Sequence, residues 1–153
     1  MTDPMPPHDA PAAAYHAPGP VLARRLTFSY EGGEIRLVSE QHVTMILPPG
    51  QAPDQLERQA GFSLVLRDER GQPVYARAMP NPVQFDREVF DRDPARSIRR
   101  EPNPNPRGTF VVLVPALENA RRLEFFGPPL KPKAHLESTR RLASFGLEPL
   151  TQP

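Results

Sequence analysis

Cysteine and tryptophan are absent from the 153 residues of this chain, and lysine occurs only at Lys131 and Lys133. Without cysteine the chain has no disulfide bond, no thiolate metal ligand and no cysteine nucleophile. No apolar run approaches the ~20 residues of a membrane-spanning helix. The first residues lack the basic start and apolar core of a secretory signal. These absences predict a soluble cytoplasmic protein that does not associate with membranes.

The chain has no large excess of positive or negative charge, because it contains 19 Lys and Arg residues and 18 Asp and Glu residues, for a net charge of +1. Such a balance offers no electrostatic basis for binding nucleic acid. Arginine pairs do occur, at 24–25, 99–100, 121–122 and 140–141. Neighbouring residues in a strand face opposite sides, so a pair does not form one basic patch. We therefore expect no nucleic-acid partner.

Proline is the abundant residue, with 22 copies, about 14% of the chain against a usual ~5%. Residues 1–22 are rich in proline and alanine, a composition that predicts a disordered N-terminal segment. Residues 23–128 carry the strand patterns and predict a single folded domain. Residues 129–153 predict a proline-containing tail with a short helix over 135–143.

The strongest strand signal lies in residues 108–115 and 121–127. The first segment contains an unbroken apolar run from Phe110 to Val114, and the second alternates apolar and charged residues around Leu123 and Phe125. Both patterns are typical of strands with at least one covered face. The five residues between them predict an antiparallel hairpin.

Two further hairpins are predicted upstream. Alternation over 24–30 leads to a turn at Gly32 and Gly33, whose backbone tolerates the positive φ angles of tight turns. The return strand is expected to bend or bulge near residues 38–41, where polar residues interrupt its apolar face. Strands over 62–67 and 74–79 flank a second turn.

About seven short strands without a core helix predict an all-β fold, a two-sheet antiparallel β-sandwich of immunoglobulin-like size. The strand over Phe110 to Val114 is expected to be central in its sheet. The predicted core contains Leu26, Phe28, Tyr30, Ile35, Leu37, Val43, Met45, Phe62, Leu64, Leu66, Phe110, Val112, Val114, Leu123 and Phe125.

Catalytic motifs are missing from the sequence. There is no H-E-x-x-H helix, no G-x-S-x-G elbow and no phosphate-binding glycine loop. The four histidines, at 8, 16, 42 and 135, are scattered, and His42 is expected to be a structural or surface residue of a strand. We expect neither enzymatic activity nor a cofactor.

One acidic cluster has the chemistry of a metal site. Asp86, Asp91 and Asp93, with Glu88, are hard oxygen ligands of the kind that Ca²⁺ prefers. Interleaved arginines neutralise these carboxylates, and the spacing does not match an EF-hand. A solvated charged loop is therefore the favoured interpretation, with no metal bound, and the three aspartates remain the metal-ligand candidates.

Residues 61–75 (GFSLVLRDERGQPVY) and 106–115 (PRGTFVVLVP) resemble small bacterial β-sandwich modules of unassigned function. They are also similar to the accessory sandwich that precedes the catalytic domain of IgA-peptidase-like (M64) metallopeptidases. The catalytic domain has no counterpart here, so no zinc ligand and no peptidase activity carry over. The resemblance implies an accessory or adhesive module.

These patterns favour a non-catalytic protein-interaction or accessory module whose partner is an unknown protein. The connection over 91–107 is longer than compact domains usually contain, and its prolines lower the entropy cost of ordering it against a partner. The alternative is a calcium- or carbohydrate-binding sandwich that uses the acidic loop over 86–93.

Overall fold

The computed structural model describes residues 14–57, 61–131 and 137–150, and β-strands dominate these residues. The strands are β1 (Val21–Glu31), β2 (Glu34–Met45), β3 (Phe62–Arg67), β4 (Pro73–Met79), β5 (Asp86–Phe90), β6 (Ile98–Pro102), β7 (Arg107–Pro115), β8 (Arg122–Gly127) and β9 (Arg140–Gly146). A short helix, α1 (Pro53–Glu57), follows β2, and a 3₁₀ turn (Pro94–Arg96) separates β5 from β6. The first 13 residues of the N-terminal segment that was predicted to be disordered lie outside the described residues, as do 132–136 and 151–153 of the tail.

The strands form three antiparallel sheets. Sheet A has the order β2-β1-β7, sheet B has the order β4-β3-β8-β9, and β5 pairs with β6 in a separate two-stranded sheet. Apolar side chains from sheets A and B pack against each other in one core. The prediction of an all-β, sandwich-like fold is therefore confirmed.

The hairpin of β1 and β2 turns at Gly32 and Gly33, whose φ angles of 59° and 84° confirm the predicted turn. Further along, Thr27 pairs with Ser39 whereas Phe28 pairs with Leu37. The one residue left unpaired in β2 is Val38, so the predicted bulge is present.

This bulge inverts the side-chain alternation in the second half of β2. Glu40 and His42 pair with residues of β1 whose side chains face the interior, Leu26 and Arg24. Val43 and Met45 are placed on the opposite side and do not join the core. Their predicted core positions are therefore wrong, because one inserted residue exchanges the two faces of a strand.

The predicted hairpin between 108–115 and 121–127 is also wrong. β7 pairs with β1 in sheet A, and β8 pairs with β3 in sheet B. The connection crosses between sheets: Ala116 N donates to Leu22 O (2.9 Å), and Arg121 N donates to Arg67 O (2.8 Å). Packed sheets lie ~10 Å apart, and the six residues between Pro115 and Arg122 span that distance as easily as they would form a hairpin loop.

The helix predicted over 135–143 is wrong for residues 140–143, which belong to β9. Residues 135 and 136 lie outside the described residues. In β9 the register shifts between the partners of Phe125 and Phe126, which leaves Leu142 as an inserted residue. Leu142 and Phe145 both pack against the core, although they are three residues apart. Because of the bulge, the apolar residues of this strand have a spacing that is also typical of a helix.

The core centres on Phe125, whose ring centroid lies 5.0 Å from that of Phe28 and 5.4 Å from that of Phe62. Leu37 and Phe110 are only partly buried, which corrects their assignment to the innermost core. The predicted central position of the strand over residues 110–114 is also wrong, because β7 is an edge strand of sheet A. The buried core residues are Leu26, Phe28, Tyr30, Ile35, Phe62, Leu64, Leu66, Tyr75, Val83, Val112, Val114, Ala120, Leu123, Phe125 and Leu147.

In the part of the chain that the structure describes, no helix has the length and apolar character needed to cross a membrane.

Candidate functional site

The acidic candidates predicted from the sequence lie on a separate hairpin, which we call the arm (residues 86–102). β5 and β6 pair with each other and with no strand of the two large sheets. Asn103 N donates to Phe85 O (2.6 Å) at the base of the arm, and Phe85 packs against the core. The long connection predicted over 91–107 therefore contains ordered hairpin structure.

The arm does not bring the three candidate metal ligands together. Asp86 is the first residue of β5, whereas Asp91 and Asp93 follow its last residue. Five residues of extended strand separate Asp86 from Asp91 by roughly 17 Å. Among the described residues, no group of three or more His, Asp and Glu side chains is placed to hold a metal ion.

Asp91 and Asp93 instead shape the turn between the two strands. Asp91 Oδ1 accepts a hydrogen bond from Asp93 N (3.1 Å), and Asp93 Oδ1 accepts one from Ala95 N (3.0 Å). Asp93 thereby caps the 3₁₀ turn. Short acidic side chains commonly fix turns in this way, so their role here is to define the tip of the arm.

The tip exposes two large apolar side chains. Phe90 is 83% exposed and Ile98 is 55% exposed, and these residues are direct cross-strand partners. Paired residues of adjacent strands project on the same side of a hairpin. The two side chains therefore form one apolar knob.

The arm also carries arginines in its turn and on β6, at positions 92, 96, 99 and 100. Arg99 pairs with Glu101 (Nη2–Oε1, 2.7 Å), but Arg92, Arg96 and Arg100 have no ion-pair partner among the described residues. Residues 86–102 contain five arginines and five acidic residues, so the arm carries no net charge. Its tip combines the apolar knob with guanidinium groups that have no ion-pair partner among the described residues.

A second feature lies on the outer face of sheet B, where Glu124 carries a carboxylate that is only 5% exposed. Arg67 Nε donates to Glu124 Oε1, and Arg141 Nη1 donates to Glu124 Oε2 (3.2 Å). Burial raises the pKa of Glu124, but the hydrogen bonds and charges of the two guanidinium groups outweigh it, so the pKa lies below its ordinary value of 4.5. The carboxylate is therefore ionised at neutral pH and holds both arginines in place.

Beside this cluster lies a cleft of about 320 Å³, which we call the outer cleft. It is bordered by α1 on one side and by the residues before β9 on the other. The lining combines apolar side chains with one guanidinium and two hydroxyl groups: Pro53, Leu56, Ser63, Val65, Arg67, Pro73, Phe126 and Thr139.

Glu124→Gln is expected to lower the free energy of unfolding at pH 7 by about 1–3 kcal/mol, because two charge-assisted hydrogen bonds lose their ionised acceptor. A lowered pKa contributes stability above the unfolded-state value that is lost as the pH falls through the folded-state value. The difference between wild type and variant should therefore shrink below about pH 4.5. Urea denaturation at pH 7 and at pH 3 measures it, with exposed Glu69→Gln as the control. A pH-independent difference would contradict the assignment.

A third cluster is built around Arg24, a fully buried arginine of β1. Arg24 Nη1 donates to Glu40 Oε1, and Nη2 donates to Glu148 O (2.7 Å). His42 Nε2 lies 3.3 Å from Glu40 Oε1. Arg24 therefore joins β1, β2 and the segment that follows β9, and its role is structural.

The sequence patterns missed the second and third clusters. The alternation over 121–127 places Glu124 on the face opposite Phe125, where a charged residue is usually exposed to solvent. Long arginine side chains cover that carboxylate, and nothing in the local pattern indicates which arginines reach it. For Glu40 a signal was present, because the predicted bulge already implied the inverted alternation.

Comparison with known proteins found no matching family model, no matching curated protein and no matching solved structure.

Proposed function

We propose that this protein is a non-catalytic interaction module that binds a protein partner through the tip of the arm. The observation that carries the proposal is the Phe90–Ile98 knob, which is exposed at the end of a hairpin that pairs with neither large sheet. A large apolar side chain in solvent gains free energy when a partner covers it. The sandwich then serves as the scaffold that presents the arm, as an accessory module would.

The chemistry of the tip defines the partner surface. Aromatic residues and arginine are enriched at the energetic centres of protein interfaces. The knob fits an apolar pocket, and the side chains of Arg92, Arg96 and Arg100, which have no ion-pair partner among the described residues, would pair with carboxylates around that pocket. The partner is therefore a protein with an apolar pocket bordered by acidic residues. No observation among the described residues similarly favours the calcium- or carbohydrate-binding alternative.

Selection of peptides from a random library displayed on phage, with the immobilised full chain as bait, tests this chemistry. The selected peptides should combine apolar residues with Asp or Glu. The double variant Phe90→Ser/Ile98→Ser should bind a selected peptide at least ~30-fold more weakly, since loss of an interface centre costs about 2 kcal/mol or more. Calorimetric titration of wild type and variant gives the ratio.

Val38→Ser is the matched control, because Val38 is 60% exposed on the bulge of β2, in sheet A. This variant should bind the peptide as the wild type does. Equal peptide affinity in wild type and in the arm double variant would refute the assignment of the binding surface. Selected peptides without acidic residues would refute the predicted partner chemistry.

A further inference from the structure

The outer cleft has a floor built from two adjacent central strands of sheet B. Ser63 pairs with Phe126, and Val65 pairs with Glu124, so these side chains lie side by side on the outer face. Leu56 of α1 packs against Val65 in a small apolar cluster separate from the main core. The helix and the strands thus form an apolar floor and wall.

One charged side chain lines this apolar space. Among the described residues around the cleft, only Arg67 carries a charge. Its Nε donates to Glu124 and its Nη1 donates to Gly71 O (3.1 Å), which leaves Nη2 without a hydrogen-bond partner in the described part of the chain. The nearby carboxylate of Glu124 is shared with Arg141, so two positive groups face one negative group. The cluster keeps a net positive charge beside an apolar surface.

We propose that the outer cleft binds a small molecule with an apolar body and one carboxylate, of the class of medium-chain monocarboxylates. The apolar body would lie on Val65, Leu56 and Phe126, and the carboxylate would accept a hydrogen bond from Arg67. Arginine is well suited to carboxylates because its planar guanidinium is always charged and presents several donors. The volume of about 320 Å³ is at the lower end of the range for small-molecule sites, which favours a ligand of this size.

The hydroxyl group of Ser63 adds a neutral hydrogen-bonding group to the lining of the cleft. A cation would meet Arg67 with repulsion, and a sugar would leave the apolar floor unmatched. The site shares no residue with the arm, so this proposal does not depend on the interaction partner.

Calorimetric titration of the full-length chain with octanoate is the test. Octanol supplies the same apolar chain without the charge, and acetate supplies the charge without the chain. Both halves of the site contribute if octanoate binds at least ~10-fold more tightly than either probe. Equal binding of octanol and octanoate would overturn the role of Arg67, and no octanoate binding up to millimolar concentration would overturn the proposal.

Ser63→Leu should abolish octanoate binding or weaken it at least ~10-fold, because the larger side chain fills the floor while leaving the Arg67–Glu124 pair in place. Arg67→Gln should weaken octanoate binding to the level of octanol. Arg25→Gln is the control, since Arg25 is exposed on sheet A. Thermal melts establish whether each variant is folded. If Arg67→Gln is not folded, octanoate binding to Ser63→Leu alone tests the proposal. Undiminished octanoate binding in Ser63→Leu would place the ligand elsewhere and refute the proposal.

Discussion

Phe125→Ala is expected to lower the free energy of unfolding by about 3–5 kcal/mol, the usual cost of deleting a buried aromatic ring. Phe125 is completely buried, and its ring contacts those of Phe28, Phe62, Phe110 and Phe145. Removing it leaves a cavity that residues from both sheets would have to fill. A domain of this size has a total stability of roughly 5–15 kcal/mol, so the variant should be marginally folded. Chemical denaturation followed by circular dichroism measures the change.

Two further phenylalanines provide graded controls for this experiment. Phe110 is only partly buried at the edge of sheet A, so Phe110→Ala should cost less than Phe125→Ala. Phe90 lies in solvent, and Phe90→Ala should stay within about 0.5 kcal/mol of the wild type. If Phe110→Ala were the most destabilising of the three, the packing described for the core would be wrong.

Arg24→Met is expected to cost about 3 kcal/mol, the lower end of the range for breaking a buried ion pair, because Arg24 is fully buried whereas Glu40 is 19% exposed. Glu40 would lose the guanidinium that neutralises it, and the carbonyl of Glu148 would lose its donor. The segment after β9 should then open more readily, since this hydrogen bond joins it to β1. The readouts are denaturation by urea and amide exchange of Leu147 and Glu148.

The double variant Arg24→Met/Glu40→Leu separates the charge effect from the packing effect. Replacing a whole buried pair by apolar residues is often neutral or stabilising, so the double variant should regain most of the stability lost in Arg24→Met. A double variant as unstable as the sum of both single variants would show that the two side chains do not act as a pair.

Local patterns predicted the features of this fold that depend on local chemistry. The Gly32–Gly33 turn and the alternation of Leu26, Phe28 and Tyr30 identified β1, its turn and the start of β2, because turn geometry and the period of a strand are written in adjacent residues. The bulge at Val38 was also predicted. The exchange of faces that moves Val43 and Met45 out of the core follows from the same bulge, because one inserted residue reverses the alternation beyond it.

Sheet membership could not be predicted in the same way. The segments around Phe110 and Phe125 are consecutive strands in opposite sheets, and a five-residue link is compatible with either arrangement. β9 was hidden because its bulge places Leu142 and Phe145 at a spacing that is also found in helices. The sheet that each strand joins, and the formation of a strand over residues 140–146, both depend on packing between segments that are distant in the sequence.

The candidate sites show the same limit. The sequence indicated the acidic residues over 86–93, but not the pairing of β5 with β6 that places Asp86 at the base of the arm and Asp91 at its tip. Cross-strand pairing, which joins Phe90 to Ile98 and Val65 to Glu124, creates both the knob on the arm and the floor of the cleft. Residues that are paired across two strands are far apart in the sequence, and which of them face each other is unknown until the strand register is known.

Hydrogen–deuterium exchange with and without a peptide selected on the full chain tests the central claim, that the tip of the arm binds the partner while the sandwich presents it. Bound peptide should slow exchange at amides within residues 86–102 and leave β2, the long edge strand of sheet A, unchanged. Protection along Glu34–Met45 with none in the arm would mean that the partner adds a strand to sheet A, and would contradict the claim.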